Sequence, residues 1–235
     1  MILYLLPPVQ VILLLSNFCL LHRAECGSAK SAKAALLCRM LLSFSLVISA
    51  FIIYSYNRGL CRVYSRWIFF GMCLSFIGDL AMGGVLRVKN SLATGMLFFM
   101  AAHCLYITGY LKTLKFYNSS GKSAIFCIPI IIEAAIALLW HFLIRNRKTG
   151  ICLNLMSLIY SLAIGMMASL SLVLALSLGE IWYLTALGAA LFMASDFIIG
   201  ITALGTRRVK YKDIIIWLTY AAVTSPPAIS APDCR

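Results

Sequence analysis

Three acidic residues lie inside long apolar segments of this sequence: Asp79, Glu133 and Asp196. A charged carboxylate at the centre of a bilayer costs about 2.5–3.5 kcal/mol on the insertion scale. Such residues therefore face the interior of a helix bundle, pair with polar groups and are candidates for function. Two carboxyl groups in one dry site supply the proton donor and the proton acceptor that acid–base catalysis needs.

Several neutral polar residues lie in the same kind of apolar segment. His103 and Tyr106 are three residues apart and share a helix face. Together with Tyr160 and Tyr220 they are neutral donors, candidates to hold a carboxylate or to orient a water molecule or a substrate. Arg39, near the start of the second apolar segment, is a candidate to balance a carboxylate or to bind phosphate. The alternative for all of them is a structural role, bonding neighbouring helices together.

The composition is that of a membrane protein. Of the 235 residues, 63% are hydrophobic and 11% are charged, whereas soluble domains are about 45–50% apolar. The net charge of +13 comes from basic residues grouped at the ends of apolar segments. That position favours contact with lipid headgroups and excludes a nucleic-acid-binding protein. The nine cysteines form no CxxC motif or Cys/His cluster, so we predict no metal and no cofactor.

The predicted fold is an all-α, polytopic transmembrane bundle of about eight spans, since a span needs about 20 apolar residues. We predict one transmembrane domain, 1–223, followed by an irregular tail, 224–235, because Pro226-Pro227 cannot continue a regular helix. The first segment has a cleaved signal peptide as its alternative. The predicted spans are 2–21, 35–56, 67–86, 91–111, 124–144, 151–178, 181–204 and a short 213–223.

Basic residues predict the orientation of the chain. The loops after the first, third, fifth and seventh predicted helices carry twice as many Lys and Arg residues as the other loops. They are therefore expected on the cytoplasmic side, with both termini in the lumen. The same assignment places the glycosylation sequon Asn118-Ser119-Ser120 in the lumen.

Depth within the membrane follows from the rise of a helix, about 1.5 Å per residue. From the face where the third and seventh predicted helices begin, Asp79 lies at roughly 18 Å and Asp196 at roughly 22 Å. His103 lies at about 12 Å and Glu133 at about 14 Å from that face. The four residues fall within a layer of about 10 Å, as a common site would require.

The surroundings of the two aspartates also indicate an internal repeat. Asp79 and Asp196 each follow a small residue and precede a glycine four positions later, Gly83 and Gly200. Four predicted helices separate the two motifs, which indicates parallel repeats that match helices 1–4 with helices 5–8. Because the motif is short, a chance match is the alternative.

Four short motifs follow one another along the chain: Ser75–Asp79 (S-x-x-G-D), Ala102–Tyr106 (A-H-x-x-Y), Gly188–Asp196 (G-A-x-x-F-x-x-S-D) and Thr219–Ala222. In this order they resemble elements of the YhhN-like lysoplasmalogenase family, whose lysine near the start of the second helix has Arg39 as its counterpart. The chain departs from the family at Val223, where the family has Gln, and at Pro226-Pro227, where the family is apolar.

The resemblance implies hydrolysis of the vinyl ether bond of lysoplasmalogens, in the endoplasmic reticulum membrane. The products are a fatty aldehyde and a glycerophospho-ethanolamine or -choline. This chemistry needs one carboxyl to protonate the β-carbon and one carboxylate to stabilise the resulting cation and activate water. We assign these roles to Asp79 and Asp196 without fixing their order, and we expect lysoplasmalogen and membrane lipids as partners. A proton-coupled transporter and a non-catalytic lipid-binding protein are the alternatives, because buried carboxylates fit them as well.

Overall fold

The apolar segments form α-helices in the computed structural model of this chain, which describes residues 2–25, 29–117, 127–146, 150–179 and 182–205. Within these ranges a π-helical turn, Trp140–Ile144, continues the fifth helix. The helices are α1 (Ile2–Glu25), α2 (Ala29–Tyr56), α3 (Gly59–Met82), α4 (Ser91–Phe116), α5 (Cys127–Leu139), α6 (Ile151–Leu178) and α7 (Trp182–Ala203).

Six helical segments are long and apolar enough to cross a membrane: α2, α3, α4, α6, α7, and α5 together with its π-helical turn. The chain is therefore a multi-pass membrane protein, and the all-α prediction is confirmed. The apolar part of α1, Pro8–Leu21, is shorter than these six. The predicted eighth span, 213–223, and the tail, 224–235, lie outside the described residues.

The third helix differs most from its predicted bounds, because α3 begins at Gly59 instead of residue 67 and ends at Met82 instead of residue 86. Arg62 and Arg66 had suggested a loop, yet both lie in the first turns of α3. The Arg66 guanidinium lies 5.4 Å from the centre of the Trp67 ring. A long aliphatic stem lets arginine carry its charge from inside a helix towards the membrane surface, so these charges do not mark the helix end.

The end of α3 places Asp79 in its last turn. The backbone N–H of Gly83 donates to the Asp79 carbonyl at 2.8 Å, and Gly84 then adopts a φ of +72°, which ends the helix. Because α3 starts earlier and α4 runs on to Phe116, Asp79 and His103 both lie farther from the α3-starting face than helix counting predicted. The predicted depths were therefore wrong for these two residues.

Helices α4 and α6 hold the bundle together. Along its length α3 packs against α4, and α2 packs between α1 and α3, whereas α6 packs against α4, α5 and α7. The buried core lies where α4, α6 and α7 meet, around Phe99, Ile164, Leu174 and Phe192. Contact between α4 and α6 thus brings the aspartate-bearing helices α3 and α7 to the same part of the bundle.

A polar cluster ties the end of α5 to α6 and α7. The Asn154 side chain accepts from the Asn146 backbone N–H at 3.2 Å and donates to the Asn146 carbonyl at 2.8 Å. The Asn146 side chain in turn donates to the Leu204 carbonyl at 3.0 Å. One turn along α6, Ser157 accepts from the Trp140 indole N–H at 2.9 Å. These bonds satisfy backbone groups that the end of the π-helical turn would otherwise leave open.

We expect Asn154→Ala to lower the free energy of unfolding by about 1–3 kcal/mol, because it removes both bonds to the Asn146 backbone. Thermal unfolding of the purified protein in detergent measures the change. Asn57→Ala, in the segment between α2 and α3, is the matched control and should leave the midpoint unchanged. An Asn154→Ala midpoint equal to that of the wild type would contradict a stabilising role for this cluster.

Candidate active site

The carboxylate of Asp79 is held between α2 and α3. It is buried, and its Oδ2 accepts a hydrogen bond from the Ser43 hydroxyl of α2. Ser43 is itself buried, so the bond lies in the helix interface and not at the protein surface. The sequence analysis did not identify Ser43, although it follows Arg39 by one helical turn and so shares its face of α2.

The carboxylate of Asp196 has an equivalent partner on the other side of the bundle. Its Oδ2 accepts a hydrogen bond from the Tyr160 hydroxyl, which comes from α6. Asp196 is only partly buried. Tyr160 was predicted as a neutral donor for a carboxylate, and this contact gives it one.

The two hydroxyl–carboxylate pairs have the same register in the chain. Ser43 precedes Asp79 by 36 residues, and Tyr160 precedes Asp196 by 36 residues. In each pair the hydroxyl comes from the helix immediately before the helix that carries the aspartate. The correspondence that the sequence suggests around the aspartates therefore extends to the residues that bond them.

His103 of α4 lies between the two halves of this site. Its side chain is fully buried, and the centre of its ring lies 5.8 Å from that of Tyr160 and 6.2 Å from that of Tyr106. The Phe192 ring of α7 packs against its edge at 5.4 Å. Among the described residues neither imidazole nitrogen has a hydrogen-bond partner. Because buried polar groups are generally hydrogen-bonded, these nitrogens are suited to hold a water molecule or a ligand group.

Tyr106 connects His103 to α3. Its hydroxyl lies 3.1 Å from the Ser75 hydroxyl and 3.2 Å from the Met72 sulfur. Its ring packs directly over Gly71, where a side chain would overlap it. Because Ser75 lies one helical turn before Asp79, these contacts hold Tyr106 on the part of α3 that carries the aspartate.

His103 links the surroundings of the two carboxyl groups. Its ring contacts Tyr160, which bonds Asp196, and also Tyr106, whose hydroxyl meets Ser75 one helical turn before Asp79. The structure thus brings together five of the predicted site residues: Asp79, Asp196, His103, Tyr106 and Tyr160. Two carboxyl groups beside neutral donors in a buried site can exchange protons with a ligand and position water. Within the described part of the chain no group of three His, Cys, Asp or Glu side chains could hold a metal ion.

The other predicted site residues, Arg39, Glu133 and Tyr220, do not belong to this group of five. Arg39 is partly buried on α2, one turn from Ser43. Glu133 packs at the α5–α6 interface, where its Oε1 lies 3.0 Å from the position of a Cβ on Gly165. Among the described residues that oxygen has no hydrogen-bond partner. Tyr220 lies outside the described residues.

A cavity of about 500 Å³, including its open mouth, borders Asp196. It lies between the first turns of α4 and the facing sides of α6 and α7. Most of its wall is apolar, with Met96, Ile164 and Phe197 near the aspartate. Its polar wall consists of Asp196 together with Tyr160, Ser157 and Ser161. Of the described residues that line it, Asp196 is the only acid.

Comparison with known proteins identifies one family. The model described as the YhhN family matches residues 32–223, which is most of the chain and includes every candidate site residue. A search of the curated proteins found no match, and a search of the solved structures found none either.

We expect Gly71→Ala to displace Tyr106, because the added Cβ would lie 2.7 Å from the Tyr106 Cδ1 and 2.8 Å from its Cζ. Overpacking of this kind lowers the free energy of unfolding by about 1–3 kcal/mol. Thermal unfolding in detergent measures it, with Gly150→Ala as the control, since no atom lies within 4 Å of a Cβ there. Equal midpoints for the two variants would show that Tyr106 does not pack on Gly71.

Proposed function

We propose that this chain, which belongs to the YhhN family, is an integral membrane hydrolase that cleaves the vinyl ether bond of lysoplasmalogens. Its products are a fatty aldehyde and a glycerophospho-ethanolamine or -choline. The observation that carries the proposal is the pair of carboxyl groups of Asp79 and Asp196. Each is held by a hydroxyl from a neighbouring helix, and the His103 ring lies between Tyr160, which bonds Asp196, and Tyr106, which packs on α3.

The reaction consumes one water molecule. An acid adds a proton to the β-carbon, and the π-electron pair of the double bond forms the new C–H bond. The positive charge that results is shared by the α-carbon and the ether oxygen. Water attacks the α-carbon and loses a proton, which gives a hemiacetal. The hemiacetal hydroxyl then loses its proton, the C–O bond breaks, and the glycerol oxygen leaves with the electron pair and takes up a proton.

A pair of carboxyl groups can carry every proton transfer in this sequence. One carboxyl, in its protonated form, donates to the β-carbon, and the other, as a carboxylate, stabilises the cation and accepts the proton of water. The proton that water releases goes to the second carboxyl. When the hemiacetal collapses, the second carboxyl donates to the leaving glycerol oxygen and the first accepts the proton of the hydroxyl, so the pair returns to its starting state. General acid–base catalysis contributes about 10²–10⁴-fold, and charge stabilisation in a site that excludes bulk water adds to it.

The surrounding residues take positioning roles in this proposal. His103, with two buried ring nitrogens that no described residue bonds, holds the attacking water or the ether oxygen. Tyr160 and Ser43 orient the two carboxylates. Tyr106 contacts Ser75, one helical turn before Asp79. Arg39, one turn from Ser43, is suited to balance the charge of the site or to bind a phosphate.

The matching register of the two hydroxyl–carboxylate pairs supports two parallel repeats within the chain. From the family resemblance, we propose that the protein lies in the endoplasmic reticulum membrane. From the distribution of basic residues, we propose that both termini lie in the lumen. In this orientation, α3, α5 and α7 end at the cytoplasmic face.

We expect Asp79→Asn and Asp196→Asn each to reduce aldehyde release from lysoplasmalogen by at least about 10²-fold. Purified protein in detergent or in liposomes is incubated with the lipid, and the aldehyde is measured. Glu25→Gln, which neutralises an acid at the end of α1, is the control and should retain activity. Full activity in either aspartate variant removes that carboxyl from the mechanism. Binding without aldehyde release indicates a lipid-binding protein, and flux of intact lipid across liposomes indicates a carrier.

Tyr160→Phe tests the positioning of Asp196. The variant keeps the ring that packs on His103 but removes the hydroxyl that donates to Asp196. A lost hydrogen bond to a charged group corresponds to about a tenfold to hundredfold fall in kcat, with KM little changed. Tyr183→Phe, at an exposed position of α7, serves as the comparison. An unchanged kcat for Tyr160→Phe would exclude a positioning role for this hydroxyl.

A further inference from the structure

We infer that the cavity beside Asp196 is the access route for a single-chain lipid whose phosphate stays at the cavity mouth, so that the depth of Asp196 selects the bond that is cleaved. This inference rests on the proposed function and adds two statements to it. It locates the headgroup, and it gives the physical reason why one bond of the lipid meets the carboxyl group.

The cavity opens towards one face of the membrane. Four of its wall residues lie at helix ends: Met82 ends α3, Leu92 is in the first turn of α4, Ile144 ends the π-helical turn and Leu204 follows α7. Because successive spans alternate in direction, α3, α5 and α7 end at the face where α4 and α6 begin. The mouth therefore lies at that face, and the cavity extends inwards past Asp196 to Ile164, one helical turn beyond Tyr160.

Basic residues border this mouth. The segment that joins the wall residues Met82 and Leu92 carries Arg87 and Lys89, and both side chains are exposed. Arg145, also exposed, directly follows the wall residue Ile144. Arginine and lysine bind phosphate through charge-assisted hydrogen bonds. A phosphate at the membrane surface would thus meet cations from two sides of the opening.

The depth of Asp196 matches the geometry of a lysoplasmalogen. Asp196 lies seven residues before Ala203, the last residue of α7, which is roughly 10 Å along the helix. In a lysoplasmalogen about seven covalent bonds separate phosphorus from the β-carbon of the vinyl ether, roughly 9 Å when extended. A phosphate held at the mouth therefore brings the vinyl ether to Asp196 and leaves the rest of the chain to the apolar interior.

The polar side chains of the cavity lie where the glycerol would pass. Ser157 lies on α6 between the mouth and Tyr160, Ser161 directly follows Tyr160, and both line the cavity. Their hydroxyls can accept from the free hydroxyl of the glycerol, while the apolar wall disfavours a charged headgroup in this stretch. Headgroup changes should consequently be tolerated, whereas displacement of the vinyl ether along the chain should not.

The first test uses the wild-type protein and positional isomers of the substrate. In the isomer, two methylene groups are inserted between the glycerol carbon and the ether oxygen, and the alkenyl chain is two carbons shorter, so the vinyl ether itself is intact. Aldehyde release should fall at least about tenfold, because the double bond then passes Asp196. Exchanging ethanolamine for choline at constant vinyl ether position should change it by less than about threefold. Equal release from both isomers would overturn the inference while leaving the hydrolase proposal intact.

The second test narrows the cavity and measures binding instead of turnover. Gly200 lines the wall, and a Cβ there would lie 2.9 Å from Cδ1 of Ile144, the movable end of that side chain. Gly200→Val should weaken binding of a saturated 1-O-alkyl lysophospholipid, which has no vinyl ether to cleave, at least about tenfold. Competition with a fluorescent lysophospholipid measures this. Gly150→Val, at a position where no atom lies within 4 Å of a Cβ, is the control.

Further variants keep this test informative if Gly200→Val does not fold. Gly200→Ala adds a single methyl group and should weaken binding in the same direction. Arg87→Gln combined with Lys89→Gln should weaken binding of the alkyl lysophospholipid but not of the corresponding 1-O-alkylglycerol, which lacks phosphate. Equal losses for both ligands would overturn the placement of phosphate at the mouth.

The outcomes separate the two levels of the proposal. Wild-type protein that binds the alkyl lipid through this cavity but releases no aldehyde from lysoplasmalogen would disprove the hydrolase and support the cavity as a lipid site. Wild-type protein that releases aldehyde, with Gly200→Val and Gly200→Ala both binding normally, would support the hydrolase and overturn this assignment of the cavity.

Discussion

A carboxylate removed from water must find its hydrogen bonds inside the protein, and this requirement organises the bundle. Asp79 obtains its bond from Ser43 and Asp196 obtains its bond from Tyr160. Each bond joins an aspartate-bearing helix to the helix before it, α2 to α3 and α6 to α7. Loss of either hydroxyl would remove a hydrogen bond that a carboxyl group in these apolar surroundings needs. The contacts that hold the helices together are thus also contacts that hold the two carboxyl groups in place.

Helix α4 joins the two halves through a residue that is polar but makes no hydrogen bond to the described residues. His103 contacts rings on both sides, Tyr106 within its own helix and Tyr160 and Phe192 across the interface. Aromatic contacts fix the plane of the imidazole while leaving its nitrogens free to bind. The ring of His103 is therefore fixed in position while its nitrogens can still form hydrogen bonds, which suits a residue that positions water beside two carboxyl groups.

The sequence predicted the family and the all-α membrane fold, and both are confirmed, because long apolar segments and four ordered motifs are strong signals. It did not predict Ser43, since one serine in an apolar helix has no pattern, and it misplaced the start of α3, since Arg62 and Arg66 lie within the helix. The depths of Asp79 and His103 were counted from predicted helix ends, and they failed because α3 starts earlier and α4 ends later than predicted. The bond between Tyr160 and Asp196 could have been predicted only by combining the repeat with the Ser43 bond. The catalytic roles of the aspartates stay predictions.

The partners of the two aspartates differ in a way that breaks the equivalence of the repeats. An aliphatic hydroxyl holds Asp79 and a phenol holds Asp196, in the same register. A phenol is a stronger acid than an alcohol and donates a stronger hydrogen bond, so identical carboxyl groups experience unlike neighbours. Twofold symmetry would make them interchangeable, yet the proposed reaction needs one to give a proton while the other bears charge. In the proposed reaction, these unlike partners would favour one aspartate as the proton donor and the other as the charged group.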